Sequence, residues 1–383
     1  MATQIVRRKR RSELRQREAV GTGAARRNAL RLDGLPMLRT SERTTFKRCR
    51  WKWWMEFEEV LKPTTPVPPL RFGSLIHLAL RDYYKKGVRR GPDPAESFLK
   101  YYDEEAKAQG EFGFKVDDLE ADEIWAEARD LGYQMLKHYV HHYGRDDEWR
   151  VLVTEQPFRQ LVYHPLSYDP NYPPQAQKTS KPWFWYVGVV DLIIQNRITG
   201  KIHIVDHKTA RSISVQYLSL DSQATAYWTY GLDWIYANKL LKPDERPAGM
   251  IYNHLRKAFP DERPKDDGGF SLNKDGSVSK KQPAPYFVRT PIFRDFHERE
   301  ISRVQIIAEF ADIERLRAEG RQDNGDPPVQ AYKNQSQFVC PGCWCFDFCE
   351  LHEIGADWKE MRDYVIKKWE PYEEHQIYTD ETR

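Results

Sequence analysis

The chain has 383 residues, 40% of them hydrophobic and 13% aromatic, enough for a substantial core in one large domain or two and too apolar for a disordered chain. No stretch approaches the length of a membrane span, and the N-terminus lacks the apolar core of a signal peptide, so a soluble cytoplasmic protein is expected. Net charge is only +3, but residues 1–31 hold ten Arg and Lys against two Glu, a balance of about +8 that leaves about −5 for the remainder.

The predicted elements follow in chain order. Residues 1–35 read as a basic flexible tail, either solvated or acting as a phosphate-tracking arm. Leu38 to Glu58 reads as helix, with Ser41 or Thr44 able to cap it and Trp51, Trp53, Trp54 and Phe57 in an aromatic-rich turn. Pro63 to Pro69 reads as a linker, and Gly73 opens a helix through Tyr84. A helical insertion occupies about 90–148. From Trp149 the period changes to that of strands. Val151–Glu155, Pro182–Gln195 and Lys201–Lys208 are strands, the last two joined by the turn Asn196–Gly200. Helix returns over Ser219–Leu241, and strands over Ala248–Arg256 and Tyr286–Phe293 flank a long polar loop at 260–285. A long helix covers Asp295–Gly320, then come a cysteine cluster and an acidic helical tail at 356–383. This order predicts an α/β fold with a central mixed sheet carrying a site at one edge.

The chemistry concentrates in Gly188-Val-Val-Asp191 and Ile204-Val-Asp206-His-Lys208-Thr209. Two carboxylates end neighbouring apolar strands, and Lys208, two residues after Asp206, projects to the same face. Such hard oxygens suit Mg²⁺ or Mn²⁺ and, with a lysine, hydrolysis of a phosphodiester. The His207 carbonyl could add a third oxygen, and Glu155 on the preceding strand could join the site. An Asp-x-Lys alone is common on hairpins. Here the flanking Val187, Val189, Val190, Ile202, Ile204 and Val205 bury the strands, and a buried charge needs a partner.

Gly188-x-x-Asp191, Asp206-His-Lys208-Thr209 and Gln223-x-x-x-Tyr227, in that order, resemble the PD-(D/E)XK nuclease superfamily and, within it, the RecB-like exonucleases. Gly73-Ser-Leu-Ile-His77 resembles that group's Gly-x-x-x-His helix. The resemblance covers about 38–352 and implies a restriction-endonuclease-like fold. It implies His77, Asp191, Asp206 and the His207 backbone as metal ligands, and Lys208 as the residue assisting water. It also implies that Gln223 and Tyr227 position the DNA backbone and the lysine. His207 departs from the Tyr frequent in this group. No Gly-x-x-x-x-Gly-Lys-[Ser/Thr] loop occurs, so no ATP motor is evident.

Of five cysteines, Cys340, Cys343, Cys345 and Cys349 fall within ten residues, a clustering that reads as a metal site before a disulfide framework. Cys340-x-x-Cys343 alone is compatible with zinc, a redox pair or iron–sulfur. One early cysteine, Cys49, and three late ones, Cys340, Cys343 and Cys349, resemble the iron–sulfur staple of AddB-type and CRISPR-associated nucleases. The resemblance implies a [4Fe–4S] cluster closing a loop of nearly 300 residues, with zinc as the alternative and Cys345 unassigned.

These readings converge on a Mg²⁺- or Mn²⁺-dependent DNA exonuclease acting on single strands or DNA ends in recombination, repair or replication. The domain is expected over 36–355. A separate helicase or recombination protein and a homo-oligomer are expected as partners, in a bacterial cytoplasm or, for a bacteriophage-encoded chain, that of the host. A scaffold without turnover and a structure-specific endonuclease are the alternatives. The tryptophans of 51–57 and Lys265, Lys274, Lys280 and Lys281 could line a DNA path, with core packing and a solvated loop as the plainer readings.

Overall fold

The computed structural model describes residues 31–59, 61–63, 68–111, 119–164, 181–242, 244–245, 247–259, 273–280, 284–322, 327–358 and 366–368. Two short strands, β1 (Arg31–Leu32) and β2 (Leu35–Arg39), are followed by α1 (Thr40–Arg48), α2 (Arg50–Trp53), a π turn (Trp54–Glu58) and β3 (Leu61–Pro63). Helices α3 (Pro68–Tyr83), α4 (Pro94–Glu111) and α5 (Leu119–Tyr143) come next, then strands β4 (Trp149–Tyr163), β5 (Pro182–Asn196) and β6 (Ile202–Ala210). A 3₁₀ turn (Leu218–Leu220), α6 (Ser222–Ala226), a second π turn (Tyr227–Gly231) and α7 (Leu232–Ala237) lead to β7 (Pro247–Arg256) and β8 (Phe287–Ile292). The chain closes with α8 (Phe296–Gln322), a 3₁₀ turn at Cys340–Gly342, α9 (Phe346–Glu353) and β9 (Ile366–Lys368).

The sheet is mixed, with a six-strand path β1-β2-β5-β6-β7-β8 and β4 also paired to β5. β2–β5 and β6–β7 are parallel, and β5–β6 and β7–β8 antiparallel. The near-continuous apolar run of β5 marks a strand covered on both faces. β8 ends the path and carries Pro291, which an edge strand tolerates because it has a side with no ladder to donate to. This is the mixed α/β architecture expected from the sequence.

By its internal contacts the chain divides into two units, Met1–Thr64 with Arg159–Gly188 and Ile307–Arg383, and Thr65–Phe158 with Val189–Ile306. In the second unit, Phe72, Ile76, Ala79, Leu80 and Tyr83 line one face of α3 at helical spacing. They pack with Phe98 and Tyr102 of α4, Met135 and Tyr139 of α5, and Leu192, Val205 and Leu255 of the sheet. The α4–α5 contact is close at Gly132, where an added Cβ would sit 2.1 Å from the Phe98 ring. In the first unit, Phe310 of α8 stacks on Phe184 at 3.9 Å, and Arg317 donates to the fully buried Glu42 at 2.8 Å. Asp295 and Glu298 exchange backbone–carboxylate hydrogen bonds of 2.8 Å at the start of α8, a capping box.

Several expectations need correction. The expected tail through residue 35 runs into β1 and β2, and Leu38 is in a strand rather than opening a helix. Ser41 and Thr44 lie inside α1 and cap nothing, because the helix starts directly off β2 at Thr40. The long helix opens at Pro68, not Gly73, since Pro suits a first helical turn. Trp51, Trp53, Trp54 and Phe57 are all buried, with Trp53 donating to Glu42 at 3.1 Å, so they form core and offer bases no stacking surface. Within the expected helical tail, Ile366–Lys368 is a strand paired to β3. Residues 1–30, Lys265 and Lys281 lie outside the described residues, while Lys274 and Lys280 are exposed.

Candidate active site

The β5–β6 ladder pairs Leu192 with Val205, and its next step sets Asp191 across from Asp206. Both carboxylates are buried because the strands that carry them are. The His207 N–H donates to Asp191 Oδ2 at 2.7 Å, clamping the two strands together; Asp191 and Asp206 lie inside β5 and β6, not at the strand ends expected from the sequence. From α3, His77 reaches the same point, with Nδ1 3.3 Å from Asp191 Oδ2 and 3.7 Å from Glu155 Oε1. Ligand atoms of His77, Glu155 and Asp191 all lie within 4.8 Å of one another, a spacing that can hold a cation. Glu155 gets there from β4 with φ +41°, the left-handed region that bulky residues rarely adopt.

A second group adjoins the first. Lys208 Nζ is 2.7 Å from Asp206 Oδ2 and donates to Gln223 Oε1 at 3.0 Å. Gln223 in turn donates from Nε2 to Asp206 Oδ1 at 3.1 Å, so one amide spans acid and lysine. No well-directed hydrogen bond closes on the buried Asp206 Oδ2, despite the nearby ammonium. The carboxylates of Asp191 and Glu155 with the imidazole of His77 make a donor set that fits Mg²⁺ or Mn²⁺; Asp206, expected as a ligand, lies outside that group and turns Oδ2 to the Lys208 ammonium.

Charge is partitioned sharply. Burial disfavours an ionised Asp191, yet His77 outweighs it, with His207 and Lys208 adding, and holds the carboxyl down at about 2. Burial alone would neutralise His77, but Asp191 and Glu155 push its pKa well above the usual value. Burial raises Glu155 to about 7, against the pull of His77 and with Asp191 adding. Asp206 is raised to about 6 by burial and the Asp191 charge, with Lys208 opposing. Burial opposes the Lys208 ammonium, and Asp206 and Asp191 outweigh it, so the lysine stays charged.

The eight residues singled out in the sequence for the carboxylate site, His77, Glu155, Asp191, Asp206, His207, Lys208, Gln223 and Tyr227, fall in one unit. Tyr227, one turn beyond Gln223, opens the second π turn and packs edge-on against Phe158 at 5.7 Å. The ring of His207 is buried beside Tyr84, and burial pushes it down to about 3, so it is neutral. Sequence reading missed two supports. Asp221 Oδ1 accepts from the N–H groups of Gln223 and Ala224, both at 2.9 Å, and from Tyr252 Oη at 2.7 Å. The Tyr252 ring carries the Lys208 ammonium 5.6 Å from its centre. Asp221, two residues before Gln223, is an N-cap signal legible in the sequence. Tyr252 shows no such signal within an apolar strand.

The other unit holds all five cysteines, none of them in a disulfide. Cys49, Cys340, Cys343, Cys345 and Cys349 line one cavity of about 480 Å³ with Lys52 and Lys333 at its wall. Cys49 sits at the junction of α1 and α2, where its N–H donates to Thr45 O at 2.9 Å. Cys345 is buried, and its hydrogen bond to Cys343 brings that thiol down to about 6. Burial pushes Cys349 up to about 12 against Lys333, with Cys49, Cys343 and Cys340 adding to the rise.

No curated protein was found that matches the chain. A family model of the PD-(D/E)XK nuclease superfamily matches residues 40–351, a span that takes in Cys49, His77, Glu155, Asp191, Asp206, Lys208, Gln223, Tyr227 and the late cysteines. With the mixed sheet and an Asp-x-Lys beside a facing aspartate on its middle strands, the chain belongs to the PD-(D/E)XK nuclease superfamily.

Proposed function

We propose that this nuclease is a Mg²⁺- or Mn²⁺-dependent DNA exonuclease of RecB-like type. The observation that carries the reading is the Lys208–Gln223–Asp206 arrangement beside the His77–Glu155–Asp191 group. A scaffold would gain little from two buried carboxylates and a buried ammonium. Exonuclease action on single strands or DNA ends follows from the likeness of the Gly73–His77, Asp191, Asp206–Lys208 and Gln223–Tyr227 motifs to RecB-like exonucleases.

A bound divalent cation would supply Lewis-acid polarisation of the phosphate and a more acidic water. His77, Asp191 and Glu155 would supply its ligands, with Asp206 and the His207 carbonyl as further oxygen donors beside them. Lys208 keeps its proton at Nζ and presents positive charge where negative charge grows in the transition state. The Gln223 side chain fixes that ammonium, and the Tyr252 ring limits its swing.

The test uses end-labelled linear and circular single-stranded DNA with Mn²⁺. Wild type should digest the linear substrate, and Asp191→Ala, Asp206→Ala and Lys208→Ala should each lose at least ~100-fold in rate. Variants cutting as well as wild type would sink the enzyme reading. Circular DNA cut as fast as linear would turn it to an endonuclease.

The cavity lined by the cysteines supports a [4Fe–4S] cluster as a second proposed cofactor. Four thiolates on one zinc at ~2.3 Å would crowd to roughly 4 Å apart. Among the described residues, the group of three or more ligands gathered within 4.8 Å is the histidine–carboxylate set, not a cysteine set. Thiols spread around a cavity of about 480 Å³ favour a larger inorganic core.

A further inference from the structure

His207 lies between Asp206 and Lys208 but sends its ring to the opposite face of β6. There it meets a polar row running across the sheet. The register aligns His207 of β6 with Asn253 of β7, and Asn253 with Arg289 of β8. His207 and Asn253 are buried, and Arg289 is packed between the rings of Tyr143 and Trp149, at 3.5 and 4.0 Å.

The hydrogens in this row have one consistent arrangement. Asn253 Nδ2 has two protons and two acceptors, His207 Nδ1 at 2.8 Å and Tyr139 Oη at 2.9 Å. Reversing that amide would turn its NH₂ toward Arg289 Nε, which already faces Asn253 Oδ1 at 3.5 Å. Tyr84 Oη donates to Asp146 Oδ2 at 2.6 Å, so the Tyr139 hydroxyl, 2.7 Å away, donates to Tyr84. Arg289 clamps Asp146 with two nitrogens, at 2.6 and 2.8 Å, and reaches Tyr139 Oη at 3.0 Å. Asp146 itself is held at φ +48° in the turn before β4. The direction of donation leaves His207 Nδ1 as an acceptor, so the ring is neutral with its proton on Nε2.

We propose that Arg289, Asp146, Tyr84, Tyr139 and Asn253 are positioning residues that act through His207 to fix Asp191 and so set the affinity of the site for a divalent cation. The coupling is covalent and short. The ring anchored by Asn253 belongs to the residue whose N–H holds Asp191 Oδ2, and the Tyr84 ring stacks on it at 5.9 Å and 17°. A residue free to shift there would loosen the Asp191 carboxylate, and loss of such outer support commonly costs ~10–100-fold in metal affinity. The inference rests on the proposed metal-dependent reading, whose failure would show in the wild type.

The experiment measures Mn²⁺ binding by isothermal titration calorimetry on the full chain, beside its melting temperature. Asn253→Leu, close in volume and without a donor, is expected to bind Mn²⁺ ~10-fold more weakly. Tyr139→Phe removes one link and should show a smaller loss in the same direction, and it decides the matter if Asn253→Leu fails to fold. Gly132→Ala, strained against Phe98 and outside the row, is the stability-matched control and should bind like wild type. Affinity within twofold of wild type in a folded row variant, or an equal loss in Gly132→Ala, overturns the positioning role. A wild type that binds no Mn²⁺ overturns it together with the metal reading.

Discussion

Glu155 combines a left-handed backbone with a carboxyl held near neutrality. A non-glycine residue at φ +41° costs about 1–3 kcal/mol, and it stays there because the surrounding strand leaves it no alternative. Its carboxyl stands at about 7 against an ordinary 4.5, so between those values the folded chain keeps a proton that the unfolded chain has lost. Stability therefore falls as pH rises through that window, by up to about 3 kcal/mol above pH 7. Asp206, raised from 3.8 to about 6, has the same sign at lower pH, while Asp191, lowered to about 2, stabilises above 3.8. Glu155→Gln in EDTA should consequently melt higher than wild type at pH 7.5 and show little difference at pH 4.5. Thermal melts across that range check it, and a pH-independent difference would show that burial does not set this carboxyl. At this scale the sequence was informative where chemistry repeats a local pattern, as with Asp191, Asp206 and Lys208. It said nothing of Glu155 pairing with His77, because that contact depends on a backbone angle and two elements far apart in the chain.

The short helix α6 owes its start to Asp221 alone, one oxygen taking two backbone N–H groups and a tyrosine hydroxyl. That cap also sets where Gln223 stands, and Gln223 holds both Lys208 and Asp206. Asp221→Ala should cost about 1–2 kcal/mol, read by urea unfolding. It should also lower kcat on linear DNA more than it raises KM, since the ammonium loses its guide. Asp221→Asn should recover most of the stability. The elements around the site were legible from alternation and helical period over β5, β6, β7 and α8. The boundaries at α1 and α3 were not, because a strand feeding directly into a helix and a proline-led first turn leave no polar punctuation. The aromatic run at 51–57 has the composition of a stacking surface, and burial turns it into core.

Over the whole chain the two chemistries separate, with the five cysteines in one unit and the carboxylates, Lys208 and Gln223 in the other. The first unit gathers three stretches of sequence, so a bond between its first and last stretches would close a very long loop. Protein purified without air should be brown and carry about four irons per chain. Cys49→Ser should lose that iron and the stability it brings, while Mn²⁺ affinity at the carboxylates stays near the wild-type value. Iron analysis, absorption spectra and calorimetry read the three, and a colourless protein holding zinc alone would remove the cluster. The interleaving of the units was not legible in the sequence, since no Gly/Pro-rich linker marks Phe158 or Gly188, where the boundaries fall inside long strands.

The π turn at Tyr227–Gly231 has a bearing on ancestry. A π turn spends one more residue than an α turn, so this helix carries in effect a one-residue insertion just after Gln223-x-x-x-Tyr227. The two motif residues precede the extra residue and keep α spacing, while Leu232–Ala237 are rotated by about a quarter turn relative to an uninterrupted helix. Aligned with a relative whose helix is α throughout, the chain calls for a gap between Tyr227 and Leu232. An alignment without it would match Gln223 and Tyr227 and then misassign every buried position that follows.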